Sequence, residues 1–80
     1  MPSARKKPCV VFTFGSTTEA IHMERTAHEW KYRGRMIPLP TEIDSSCGLA
    51  WCAPVKDKEG LKRMTERMKI KVEGIYELEL

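Results

Sequence analysis

The stretch CVVFTFGSTTEA, residues 9–20, changes its backbone periodicity within three residues. CVVFTF is β-branched and aromatic almost throughout, which predicts a strand over 9–14. Val10, Phe12 and Phe14 fall on one face and Cys9, Val11 and Thr13 on the other. Both faces are mostly apolar, so the strand belongs in the middle of a sheet. Gly15 breaks the run. Ser16 and Glu19 then have the S-x-x-E spacing of a capping box, in which hydroxyl and carboxylate satisfy the orphan amides of a helix start. A central strand that turns directly into a capped helix is the first half of a β-α-β unit, and the rest of the chain extends that pattern.

Beyond the cap, Ala20, Met23, Ala27 and Trp30 recur at three- and four-residue steps as a helical stripe. Gly34 is placed to end this helix, which is expected over 17–33. RMIPL, 35–39, is a short second strand, and Pro38, with no amide hydrogen for a ladder, puts it at an edge. PTEIDSS is a loop. CGLAWCA, 47–53, is a third strand that Pro54 closes. A second helix is expected near 57–69, with Leu61, Met64 (or Thr65) and Met68 as its stripe and Gly60 weakening its first turn. In the final KVEGIYELEL, Tyr76, Leu78 and Leu80 alternate with Glu77 and Glu79 as in a half-buried strand.

The order β-α-β-β-α-β predicts the α+β class, as a ferredoxin-like split β-α-β sandwich with a four-stranded antiparallel sheet and two helices on one face. Right-handed crossovers then seat the first and third strands side by side in the centre. Residues 9–80 form one domain, preceded by a flexible basic tail over 1–8.

Eighty residues allow only a thin core. No apolar run approaches the roughly 18 residues of a membrane span, and MPSARKKP lacks the apolar stretch of a secretory signal. The expected compartment is the cytoplasm. The formal charge of +3 comes from Arg5, Lys6 and Lys7, because the remaining 11 of the 14 Lys and Arg residues face 11 Asp and Glu residues. A short basic tail of this kind reads as solvated rather than as a nucleic-acid arm. The most basic segment, 56–71, is offset by Glu73, Glu77 and Glu79. RNA binding on the shared topology would use Phe12, Phe14 and Trp51 as stacking platforms. These three read as core, nothing matches the RNP1 pattern, and nucleic acid is not expected as a partner.

Three cysteines, at 9, 47 and 52, in a chain without an export signal point to free thiols rather than a disulfide framework. There is no C-x-x-C, and His22 and His28 fall on opposite sides of their helix, so no metal site is expected. Neither histidine is placed to act as a base for a thiol.

Chain direction gives Cys47 its interest. The first strand ends, and the first helix begins, at the same end of the sheet as the loop that precedes Cys47. Cys47 heads the strand that should neighbour the first one, so it should lie beside the Gly15–Thr18 turn and the helix N-terminus. Such an end carries unpaired N–H groups and about half a positive charge, which favours a thiolate. Ser45, Ser46, Ser16, Thr17 and Thr18 add hydroxyl groups, and Gly48 leaves room for another molecule near the sulfur. The site reads as an accessible nucleophile or carrier thiol without a general base. Two alternatives stay open. Cys47 can be an inert small hydrophobe, as Cys9 and Cys52 are read to be. Cys47 and Cys52 point to opposite faces of an unbroken strand, so a one-residue slip in register would exchange which is exposed and which is covered.

FGSTTEA, MIPLPTEIDSSCGLAW and the final GIY, in that order, resemble the selenium/sulfur (Se/S) carrier protein-like family of small bacterial proteins of unknown function. The resemblance runs from Cys9 to Tyr76. Its most specific part is P-x-x-I-x-S-x-C-G, formed by Pro40, Ile43, Ser45, Cys47 and Gly48. Thr41 stands where the family pattern commonly has an arginine; if that arginine helps hold an anionic sulfur or selenium species, that help is absent here. The resemblance implies a carrier or binding protein more than an enzyme, with no cofactor. Cys47 would take sulfane sulfur or reduced selenium from a donor protein, hold it as Cys-S-SH or Cys-S-SeH, and pass it to an acceptor protein. The competing reading is a non-catalytic protein-interaction or ligand-binding module, with a homodimer through the last strand, whose YELEL is the freer edge.

Overall fold

A computed structural model describes residues 7–45 and 47–79. It contains β1 (Pro8–Thr13), α1 (Thr17–Glu29), β2 (Arg35–Pro38), β3 (Leu49–Pro54), α2 (Lys58–Arg67) and β4 (Gly74–Glu79), with a short 3-10 turn over Val55–Asp57 leading into α2. The basic tail expected over 1–8 lies outside the described residues as far as residue 6; Pro8 already belongs to β1, opposite Glu79. Leu80 also lies outside them.

The protein is α+β. Its four strands form one sheet in the order β2-β3-β1-β4, and every neighbouring pair is antiparallel. β1 and β3 occupy the centre, as their two apolar faces require. α1, between β1 and β2, and α2, between β3 and β4, each span a crossover past one strand.

Both helices pack on one face of the sheet. Val10, Phe12 and Phe14 of β1 and its extension meet Trp51 and Ala53 of β3, Ala20, Met23 and Ala27 of α1, and Leu61 and Met64 of α2. Phe12 and Trp51 are register partners and meet edge to face, with ring centroids 6.2 Å apart. The other face carries a smaller apolar group, Val11, Ala50 and Cys52, covered by Ile43 from the loop after β2 and flanked by Ile37, Leu39 and Leu78.

Several side chains sit elsewhere than their spacing alone suggests. Trp30 is the C-cap of α1 and is exposed, and Thr26 joins the buried stripe in its place. Met68 is likewise an exposed C-cap, while Ile70 turns back into the core. In β4 it is Ile75 that packs on the helix side; Leu78 faces the opposite side and Tyr76 is exposed.

Helix α1 stops before Gly34. Lys31 takes the left-handed conformation (φ 67), with Lys31 N donating to His28 O and Tyr32 N to Ala27 O at 2.9 Å, the two bonds of a Schellman motif. α2 ends the same way at Lys69 (φ 57), with Lys69 N to Glu66 O and Ile70 N to Thr65 O. Gly34 serves packing instead: a Cβ there would fall inside the Trp51 ring and 2.8 Å from the Cys52 carbonyl oxygen. Gly60, in the first turn of α2, gives up helix propensity so that the Tyr32 hydroxyl can rest against its backbone.

Candidate functional site

The chain leaves β1 at Thr13 and enters α1 at Thr17, with Ser16 as N-cap in extended backbone (φ −151, ψ 159). The Ser16 hydroxyl accepts from Glu19 N at 3.4 Å. Glu19 does not complete a reciprocal box; its carboxylate accepts from Lys71 N at 3.2 Å and ties the helix start to the segment before β4. Gly15, Ser16, Thr17 and Thr18 are all exposed.

Opposite this turn the loop after β2 folds back on itself. Leu39 N donates to Gly48 O and Ile43 N to Pro40 O, each at 3.0 Å. Ile43 is the one apolar residue in the polar run PTEIDSS, and it is buried against the sheet. β3 starts at Leu49 rather than at Cys47.

The consequence for Cys47 corrects the expectation of an accessible thiol. Cys47 is beside the α1 turn, as the chain direction requires, and Thr17 Oγ1 lies 3.8 Å from its sulfur. Yet the residue is only 5% exposed and joins the core on the helix side of the sheet. Cys52 is equally buried, on the opposite side, so the two thiols do point apart, and neither is presented to solvent. Cys9 is half-buried.

The expected hydroxyl cluster divides. Thr17 reaches the thiol. The Ser16 hydroxyl caps the helix, and Ser45 Oγ donates to Phe14 O at 3.1 Å while also meeting the Glu73 carboxylate. Ser46 lies outside the described residues. Thr18 is exposed on the first turn of α1. Thr41 is exposed, and its hydroxyl meets the Glu42 carboxylate at 3.4 Å. Glu73, which the sequence did not single out, joins the site through Ser45 and through its own N–H, which donates to Thr13 O at 2.7 Å. Space is open where it matters: a Cβ on Gly15 or Gly48 would meet nothing within 4 Å, and neither glycine has a positive φ. Nothing within the fold demands glycine at either position.

A family model described as "Putative Se/S carrier protein-like" matches residues 9–77. The chain belongs to this family. Among curated proteins and among solved structures, nothing matched it. The family's description concerns carriage of selenium or sulfur, and the match runs from the second residue of β1 through most of β4, so it includes Cys47 and its turn.

The electrostatics differ between the thiols. Burial pushes the Cys52 thiol above its ordinary value of 9.0, against the opposing pull of the Arg35 guanidinium. Cys52 is thereby held as a neutral thiol, in keeping with a packing role. Among the described residues, no three His, Cys, Asp or Glu side chains cluster as metal ligands, and no helix is long and apolar enough to cross a membrane.

Proposed function

We propose that this protein is a sulfur or selenium carrier whose carrier thiol is Cys47, kept shielded between transfers. The observation that carries this reading is the contact of Thr17 Oγ1 with Cys47 Sγ at 3.8 Å, in the first turn of α1. The hydroxyl there faces the sulfur, and the open space over Gly15 and Gly48 admits a partner's backbone.

In the loading step the Cys47 thiolate attacks the terminal sulfur of a donor's persulfide, R–S–SH. The new S–S bond forms as the old one breaks, R–S⁻ leaves with the electron pair, and Cys47 becomes Cys-S-SH. A donor R–S–SeH exchanges in the same way to give Cys-S-SeH. Delivery is the reverse exchange to an acceptor protein's thiolate. No net oxidant or reductant is consumed, which suits a carrier rather than an enzyme, and a reducing cytoplasm suits both the free thiols and the exchange. Burial protects the loaded sulfur from small thiols. Access then requires the start of α1 and the segment 39–45 to part, breaking the Thr17–Cys47 contact and the Ser45–Phe14 hydrogen bond. The split β-α-β plan supports this arrangement, because it brings the start of α1 and the approach to β3 to one end of the sheet.

The test is to incubate the full-length protein with a persulfide donor and map added sulfur by mass spectrometry. One added sulfur on Cys47, lost in Cys47→Ser, is expected. Sulfur on Cys9 alone, or on none of the cysteines, would remove the carrier reading. A second reading, an interaction module that pairs through β4, draws on the place of β4 at the sheet edge. Association at micromolar concentration that persists in Cys47→Ser would favour it.

A further inference from the structure

A cavity lies away from Cys47. It is a groove of about 590 Å³ where the beginnings of β1 and β2 meet the end of β3. Lys7, Arg33, Arg35 and Lys56 all line it, and none of its described lining residues is acidic. In a chain whose charges otherwise balance, four cations around one groove form a local positive field that draws in anions. The rest of the lining is largely apolar, including Ala53 and Pro54.

Two thiols share this groove, Cys9 and Cys52. Register places them diagonally: Val11 is the partner of Cys52, and Cys9 lies two residues before Val11. Diagonal neighbours of this kind are on the order of 7 Å apart, beyond the Cβ span of an unstrained disulfide, so they do not cross-link without movement of the strands. Cys52 is on the floor, buried, with Arg35 as its partner on β2. Cys9 is at the rim: it is half-buried, and its Sγ donates to Lys7 O at 3.4 Å.

We propose that Cys9 is a second thiol site, selective for small disulfides that carry carboxylates. The groove gathers the anion, and Cys9 exchanges with it. The Cys9 thiolate attacks one sulfur of R–S–S–R, the Cys9–S–S–R bond forms as the original S–S bond breaks, and R–S⁻ leaves with the electron pair. The proton released by Cys9 goes to solvent, and the disulfide is the only oxidant. An unstrained Cys9–Cys52 disulfide does not form across this diagonal, so the mixed disulfide persists until an outside thiol removes it. The carboxylates of the retained half stay among Arg33, Arg35 and Lys56, where the same charges that attracted the reagent hold its product.

The experiment compares two reagents on the full-length protein: the anionic aromatic disulfide dithiobis(nitrobenzoate) and the uncharged dithiodipyridine. Rates are read separately for each cysteine by mass spectrometry. A peptide of residues 7–11, which keeps Lys7 but lacks the groove, is the reference. The anionic-to-neutral rate ratio at Cys9 is expected to exceed that of the peptide by about tenfold at low salt and to fall as salt is raised. Arg35→Gln should reduce the ratio, and so should Lys56→Gln, an exposed change with no strand to disturb. A ratio equal to that of the peptide, a ratio indifferent to both variants, or first reaction at Cys47 or Cys52 would overturn the proposal. Because it is read at Cys9, the outcome is separate from the fate of Cys47.

Discussion

The Thr17 hydroxyl reaches Cys47 across 30 residues of chain, and its contribution can be isolated with little change of shape. Thr17→Val keeps the volume and the exposed position on the first turn of α1 but removes the group that faces the sulfur. A single hydrogen bond of this kind contributes about 0.5–1.5 kcal/mol, so loading of Cys47 by a persulfide donor should slow by about two- to tenfold. Unchanged loading kinetics would show that the Thr17 contact takes no part in loading. Cys52 gives a different residue-level expectation. Its pKa is raised in the folded state, chiefly by burial, so the folded protein retains a proton that the unfolded chain gives up. Its stability contribution is complete below the ordinary value of 9.0 and is lost as pH rises through the higher folded value. Urea unfolding should therefore show declining stability above about pH 9, and Cys52→Ala should flatten that decline while lowering stability at neutral pH. A slope unaltered by Cys52→Ala would assign the alkaline loss to another group.

At the scale of elements, the two helix ends offer the clearest gains. Lys31 and Lys69 occupy positions where glycine is the usual solution, each in the left-handed region. Lysine there complements the negative helix end but carries the steric cost of a Cβ. Lys69→Gly should raise stability by about 0.5–1 kcal/mol, measured by thermal or urea unfolding; a decrease would mean that the charge outweighs the strain. Gly34→Ala should act in the opposite direction, by about 1–3 kcal/mol, because its new methyl meets the buried Trp51 ring and the Cys52 carbonyl. These ends also explain what could be read from the sequence. The Ser16 cap, the apolar faces of β1, the proline-blunted β2 and the element order are local patterns, and they were legible. The helix C-termini were not, because a lysine in a left-handed turn leaves no glycine as a marker. The burial of Cys47 was hidden for a related reason. Cys47 joins the core on the helix side before β3 begins at Leu49, and no local sequence pattern marks that contact. The neighbourhood of Thr17 and Cys47 followed from chain direction; the depth of the thiol depended on tertiary packing in the core on the helix side.

Over the whole molecule, the three thiols divide the sheet between them. Cys47 is under the start of α1, on the helix side. Cys9 and Cys52 share the cationic groove at the opposite end of β1 and β3. A domain this small has little stability to spare, so the motion that the proposed carriage requires at Cys47 must be local and inexpensive. The segment 39–45 fits that requirement: Ile43 is its one buried side chain, and its release would leave the ladders of β1, β3 and β4 intact. Segments of this kind open at free energies well below global unfolding. Cys52, held within β3 in the middle of the sheet, is the internal reference for global opening.

The most direct measurement is the alkylation rate of each cysteine in the native protein as urea is raised from zero to just below the unfolding midpoint. A shielded carrier thiol released by its loop should react at Cys47 far faster than at Cys52, with a rate that barely depends on urea because little surface is exposed in the opening. If Cys47 instead reacts as slowly as Cys52 and with the same steep dependence on urea, its thiol is reached only when the whole domain unfolds. It would then be a packing residue and not a carrier.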